Sequence, residues 1–349
     1  MNNAKKAIDN LIKKTRVHFY KPIQIAEILY RDRVYRDIDL ANLETYRTSS
    51  KKWRDVICEK FIGRVSTSSA RFQDDLFVNA ITPDILVKLG SINRAEGGSV
   101  EKYIYKAFSL RLSQMSSAIN YCEKNSIDSF HLSAFLNLFW SEPGLRRSLD
   151  KIYEIIVYSL FSALVEALEV SVQVSFNINK KDLFEEFSDF AQNVVQLSME
   201  KPSLSMNARI NRVGVTNAAD RGLDMWANFG MAIQIKHLSL TEELAESIVS
   251  SVSSDRIVIV CKDSEEKVIV SLLNQIGWKS KIQSIITETN LVNWYEKALR
   301  GKYAKELGQN ILDKIKTEIF AEFPVTNNFE FEQFLRNRNY YSVVSQDFI

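Results

Sequence analysis

Asp220-Arg-Gly-Leu-Asp224-Met-Trp-Ala-Asn-Phe-Gly230-Met-Ala-Ile-Gln234-Ile-Lys236-His237 is the stretch on which the fold turns. It holds two short extended segments, 221–229 and 231–238, joined at Phe229 and Gly230, and such a pattern predicts a β-hairpin. In the second segment Ile233 and Ile235 fall on one face of the strand and Gln234 and Lys236 on the other, because successive side chains of a strand point to opposite faces. The apolar pair is suited to burial. The hairpin then carries Asp224 on the neighbouring strand towards Gln234 and Lys236, since cross-strand neighbours on one face lie close together.

Working outward, a further extended segment at 209–217 precedes the hairpin. After it, Ser239 and Glu242 have the spacing of a capping box opening a helix to about Ser254. Ile257-Val-Ile-Val260 is a continuous apolar run, as in a strand covered on both faces. Asp263 and Glu266 open another helix, which stops at Gly277, and Lys281-Ile-Gln-Ser-Ile-Ile-Thr287 supplies one more strand. Upstream, 144–168 is strongly helical, and Val170, Val172, Val174, Phe176 and Ile178 alternate with polar residues in period two. A helix is expected at 181–199, with Leu183, Phe187, Phe190, Ala191 and Val194 on one stripe. A local hairpin followed by helical crossovers implies an α/β fold, a mixed β-sheet core flanked by helices.

The region before Pro143 differs. Helical patterns recur near 2–14, 22–33, 50–62, 84–90, 99–124 and 129–140, with few strand signals. Clustered hydroxyls in Val65-Ser-Thr-Ser-Ser-Ala-Arg-Phe72 read as the N-terminal cap of a helix. After Leu291 the pattern is helical again, weak at Gly301 and stopped at Pro324. The expected organisation is a mainly helical region at 1–143, a catalytic core at 144–290 and a helical extension at 291–349.

Composition bounds the function. At 46% hydrophobic and 25% charged residues the chain is neither disordered nor a disulfide scaffold. Cys58, Cys122 and Cys261 lack zinc-ligand spacing. The N-terminus has no apolar signal region, and the most apolar stretch, Ile155 to Leu168, is too short to span a bilayer. A cytoplasmic protein with no membrane association and no organic cofactor is expected. Residues 1–64 carry fifteen Lys and Arg against eight Asp and Glu, whereas the whole chain is only +2. A basic N-terminal lobe of this kind suits contact with a polyphosphate.

The hairpin brings together a carboxylate, an amide and an amine. Phosphodiester hydrolysis requires a divalent ion that neutralises the transferring phosphoryl group and acidifies the attacking water. Mg2+ takes oxygen ligands and keeps several waters, so one carboxylate and one amide oxygen, Asp224 and Gln234, can hold it together with substrate oxygens. Lys236 can orient the water or stabilise developing charge. For this reason Asp224, Gln234 and Lys236 are the expected catalytic residues.

Gly222-x-Asp224, nine intervening residues and Gln234-x-Lys236 on an apolar strand resemble the PD-(D/E)xK nuclease motif. The runs Lys21-Pro-Ile-Gln-Ile-Ala-Glu-Ile-Leu-Tyr30, Lys52-Trp-Arg-Asp55 and Val65-Ser-Thr-Ser-Ser-Ala70-x-Phe72-Gln-Asp74 are similar to those of HaeII-type restriction endonucleases. The resemblance implies a restriction-endonuclease-like core and a homodimer that cuts both strands of a palindromic double-stranded DNA site, with RGCGCY the expected sequence and Mg2+ the cofactor. The chain departs from the motif at Leu223, where proline stands, and at Gln234, where an acid stands. The second departure removes a formal charge, and Glu185 and Glu186 on the preceding helix are candidates to restore it.

Arg212 and Arg221, near strand ends, are candidate DNA-backbone contacts, as are Lys51, Lys52, Arg54 and Arg71 in the basic half. Lys297, Arg300, Lys302 and Lys305 on the late helix are further cations of this kind. His237 should point away from Lys236 to a structural or DNA-side contact, and Asp220 reads as a turn residue. Two other functions use the same core: a repair or junction nuclease, and a non-cleaving DNA-binding protein on a decayed site.

Overall fold

A computed structural model describes residues 2–66, 69–213, 223–236, 254, 256–262, 267, 270, 282–323 and 328–344. The described chain forms two compact units, Met1–Ile152 with Lys316–Ile349, and Tyr153–Ile315. The segment from Lys316 onward thus belongs with the helical unit, and the boundary at 152/153 falls inside a helix nine residues beyond Pro143.

The first unit is helical, as the 3.6-residue periodicity requires. It contains α1 (Asn2–Lys14), α2 (Tyr20–Val34), α3 (Ser49–Ile62), α4 (Ala70–Asp74), α5 (Pro83–Ala95), α6 (Ser99–Lys124) and α7 (Leu132–Ser141). Its centre is α2, where Ile23, Ile25, Ala26, Ile28 and Leu29 are all at 0% exposure. A helix buried on so many sides must be wrapped by others, and its neighbours include α3, α5 and α6. Ser69 caps α4, its hydroxyl accepting from the backbone N–H of Phe72 at 3.2 Å, as the hydroxyl cluster predicted.

The second unit holds the sheet. α8 (Leu149–Ala167) leads to β1 (Ser171–Ser175), which pairs antiparallel with β2 (Ser203–Asn207) as a separate two-stranded ribbon. Between them the chain makes α9 (Lys181–Glu186) and shorter turns to Val195. The main sheet has the order β3 (Ile210–Arg212), β4 (Met225–Ala227), β5 (Met231–Lys236), β6 (Arg256–Cys261), β7 (Ile282–Thr287). The first three strands are antiparallel and the last three parallel. It is the mixed sheet expected, and β6 is the fully covered strand that its run of Ile and Val required, with Ile257 to Cys261 all buried.

α10 (Glu288–Arg300) follows β7 at once. The Thr287 hydroxyl accepts from the N–H of Asn290 at 3.2 Å, and the Asn290 side chain accepts from the N–H of Thr287 at 2.9 Å. α10 is tied to α8 by the Tyr295 hydroxyl, which donates to the carbonyl of Ile156 at 2.8 Å. α11 (Ala304–Glu322) and α12 (Asn328–Asn337) complete the chain. The helices expected at 239–254 and 263–277 lie largely outside the described residues. Among the described residues no helix is long and apolar enough to cross a membrane.

The arm between α8 and β3 departs most from expectation. The helix foreseen at 181–199 is broken into short pieces, and of its apolar stripe only Ala191 is buried. Leu183, Phe187, Phe190 and Val194 face solvent.

Candidate active site

The β4–β5 hairpin turns at Asn228-Phe229-Gly230, where the N–H of Gly230 donates to the carbonyl of Ala227 at 3.0 Å. Gly230 has φ +86°, a left-handed value that costs glycine little and other residues more. The register Met225 opposite Ile233 and Trp226 opposite Ala232 follows from this turn. One step on, Asp224 stands beside the end of β5, and its Oδ2 accepts a hydrogen bond from the backbone N–H of Ile235 at 2.7 Å. The hairpin therefore delivers the acid to the strand between Gln234 and Lys236, as the spacing predicted.

Gln234 is only 1% exposed, and neither its amide nitrogen nor its amide oxygen has a hydrogen-bond partner among the described residues. A buried polar atom without a partner costs about 1–3 kcal/mol, so most proteins avoid it unless a ligand, ion or water is to complete it. Gln234 sits on the strand at the centre of the sheet, next to Ile235, whose backbone N–H donates to the Asp224 carboxylate. Lys236 ends β5 with its backbone opposite Cys261 of β6, and β5, β6 and β7 finish in parallel. The carboxyl ends of parallel strands are where open α/β sheets bind ligands.

The donor set fits a hard divalent ion. Asp224 offers a carboxylate and Gln234 an orphaned amide oxygen, both ligand types that Mg2+ accepts. Among the described residues no group of three or more His, Cys, Asp or Glu comes together. A set of one carboxylate and one amide leaves most of the coordination shell to water and substrate.

Several expected site residues fall elsewhere. Arg54 is fully buried: its guanidinium donates to Gln24 at 3.2 Å, to Asp55 at 2.8 Å and to the carbonyl of Ser66 at 3.3 Å. It cross-links α2 and α3 and is not presented to DNA. Arg212 is also turned inward, with 8% of its side chain exposed and Nη1 3.8 Å from Glu154 of α8. Lys51 is half-buried, while Lys52 and Arg71 are exposed, all three in the helical unit. Much of the basic surplus there is ion-paired, as in Arg31 with Asp37, Arg33 with Glu101 and Arg47 with Asp74. Glu185 and Glu186 are exposed on α9, with Glu185 3.5 Å from Lys181. Arg221, His237 and Asp220 lie outside the described residues, as does the side chain of Lys236.

Sequence reasoning missed Glu154. It is 4% exposed in α8, where Ile152, Tyr153, Ile155 and Ile156 on either side are fully buried. The available signal was an acid inside a helix apolar all round, which cannot be buried without a cationic partner. Arg212 is that partner, and it pairs in register with Met225, the residue after Asp224.

Comparison with known proteins shows the family. A model of the HaeII restriction endonuclease family matches residues 4–340. The type II restriction enzyme HaeII of Haemophilus aegyptius is 64% identical over 338 residues, covering 97% of this chain and 96% of that protein. The type II restriction enzyme NgoBI of Neisseria gonorrhoeae is 59% identical over 339 residues, covering 97% and 96%. No solved structure matches the chain. With a family model and full-length relatives in agreement, the chain belongs to the HaeII restriction endonuclease family, and its enzymatic class is that of the type II restriction enzymes.

Proposed function

We propose that the chain hydrolyses phosphodiester bonds in both strands of a short palindromic site in double-stranded DNA, as a homodimer with Mg2+ as cofactor. Asp224, Gln234 and Lys236 are the proposed catalytic residues. RGCGCY is the proposed sequence, carried over from the family resemblance. The supporting observation is the bond from the Ile235 N–H to Asp224, which brings a carboxylate to the strand that carries the buried and unpartnered amide of Gln234.

Asp224 and Gln234 would hold the ion. Bound there, Mg2+ supplies neutralisation of the transferring phosphoryl group and acidification of the attacking water. The backbone N–H of Ile235 fixes the Asp224 carboxylate at the end of β5. Burial of Gln234 keeps bulk water from its amide and strengthens any charge interaction made there. Lys236, last residue of β5, would orient the nucleophilic water or stabilise charge on the phosphoryl oxygens. With an amide in place of a second acid, the site carries one fewer negative charge, so its affinity for the ion depends more on the DNA phosphate itself. Lys51, Lys52 and Arg71 are proposed backbone contacts, together with Arg221 and His237.

Digestion of a mixed set of plasmids with the purified chain and Mg2+ tests this reading. Discrete bands are the expected result. A smear or cutting confined to branched DNA would point to a repair or junction nuclease, and tight binding without cleavage in Mg2+ or Mn2+ to a decayed site.

A further inference from the structure

The 168–206 arm leaves an apolar surface uncovered. Six of its side chains are more than half exposed: Leu168 72%, Ile178 65%, Leu183 57%, Phe187 54%, Phe190 55% and Val194 65%. At roughly 150–200 Å² for each such side chain when fully exposed, this amounts to roughly 650 Å² of exposed apolar side chain on one short arm. The ribbon at the base of the arm is two-faced. Its register sets Val172 opposite Met206 and Val174 opposite Leu204, with Gln173 and its serine neighbours on the other side. An isolated two-stranded ribbon is marginal in water, so its apolar face needs a cover.

We infer that this arm is the surface through which two copies of the chain pair. Charge argues against other occupants. From Val170 to Asn207 the arm carries Lys180, Lys181 and Lys201 against Asp182, Glu185, Glu186, Asp189 and Glu200. That net negative surface repels DNA phosphate and anionic lipid alike. Size argues for a protein partner: the exposed residues together with the half-covered ribbon face approach the ~800 Å² that each side contributes to a standard interface. A second copy is the partner that function requires, because each chain offers one candidate site and a duplex has two strands to cut; in this respect the inference rests on the reading above. Placement suits the task. The base of the arm is pinned beside the catalytic hairpin, where the N–H of Arg209 donates to the Asn228 side chain at 2.8 Å and Asn228 donates to the carbonyl of Asn207 at 3.0 Å. Two arms joined in an isologous contact would fix the two sites relative to each other.

Sedimentation velocity of the full chain without DNA or metal tests the assignment independently of cleavage. The wild type should sediment at twice 40.1 kDa, and Phe187→Asp with Phe190→Asp should sediment at 40.1 kDa with an unchanged circular dichroism spectrum. The control pair Val78→Asp with Leu110→Asp, exposed apolar residues in the helical unit, should remain a dimer. Should the arm variant fail to fold, hydrogen exchange of the wild type on serial dilution replaces it, and protection within 168–206 should fall as the dimer dissociates. A wild type that stays monomeric at about 100 μM, well above ordinary dimer dissociation constants, overturns the inference. An arm variant that still dimerises, or exchange in the arm that ignores dilution, does the same. A dimer that cuts no DNA would leave the inference standing and refute the nuclease reading.

Discussion

Replacing Gln234 by Glu is the most searching test of the pocket, because it alters charge while keeping shape. Gln234 is 1% exposed, and its amide has no partner among the described residues. A carboxylate in the same place would be buried beside Asp224, with desolvation and like-charge repulsion both opposing ionisation. An unpaired buried charge of this kind costs about 3 kcal/mol. For a unit of this size that is a drop in melting temperature of roughly 6–12 °C in EDTA. The sign with pH follows: a carboxyl raised above its unfolded pKa leaves stability intact at acid pH, and the loss sets in as pH rises past about 4.3 and deepens until the folded pKa is passed. If the pocket is built for a divalent ion, Mg2+ should reverse the deficit, since a ligand at 100 times its dissociation constant contributes about 2.7 kcal/mol. Differential scanning calorimetry in EDTA and in Mg2+, at pH 5 and pH 8, reads all of this. A Gln234→Glu protein as stable as the wild type at pH 8 without metal, or one that Mg2+ does not rescue, would refute the idea that Gln234 faces an ion pocket. Cleavage should persist in Mg2+.

Other expectations follow from the helical unit. Arg338 donates to Glu27 at 2.6 and 2.8 Å and lies 3.7 Å from the Tyr30 ring; Arg338→Ala strands a buried carboxylate and should cost about 3–5 kcal/mol in urea unfolding, with less lost when Glu27→Gln is added. Burial, aided by nearby Arg64, lowers His18 to about 4, so stability is complete above pH 6.5 and falls by about 3 kcal/mol as pH drops from 6.5 to 4. His18→Gln should flatten that slope in a pH series of melts. Arg54→Ala should lower the melting temperature by several degrees and leave the salt dependence of DNA binding alone. Lys52→Ala and Arg71→Ala should do the reverse, each reducing the salt slope by about one.

The sequence made much of this legible where one physical cause dominated. Ile257 to Val260 could be little else than a covered strand, and the alternation at Ile233-Gln-Ile-Lys236 announced both β5 and the polar pair at its end. Helices of the first unit were readable because each has a continuous 3.6-residue pattern and a clear stop, such as Gly63 after α3 at φ +70°. The arm was misread for a physical reason. The stripe Leu183, Phe187, Phe190 and Val194 shows that a helix could bury one face, but not that anything in the same chain covers it. β2 was missed because Ser203-Leu-Ser-Met-Asn207 has too few apolar residues to announce a strand, and only pairing with β1 makes it one. Arg54 and Arg212 were read as surface cations because a sequence gives charge without depth. Their acidic partners Asp55 and Glu154 lie one residue away in one case and on a distant helix in the other.

Cleavage of a supercoiled plasmid bearing the recognition site, by wild type, Asp224→Asn and Lys236→Ala, tests the central claim most directly when read beside a gel shift on the same DNA without metal. Asn can still accept from the Ile235 N–H, so the hairpin should hold while the charge is lost. The account predicts that each variant cuts at least ~1,000-fold more slowly and binds the site about as tightly as the wild type. Cleavage at the native rate by either variant would contradict it.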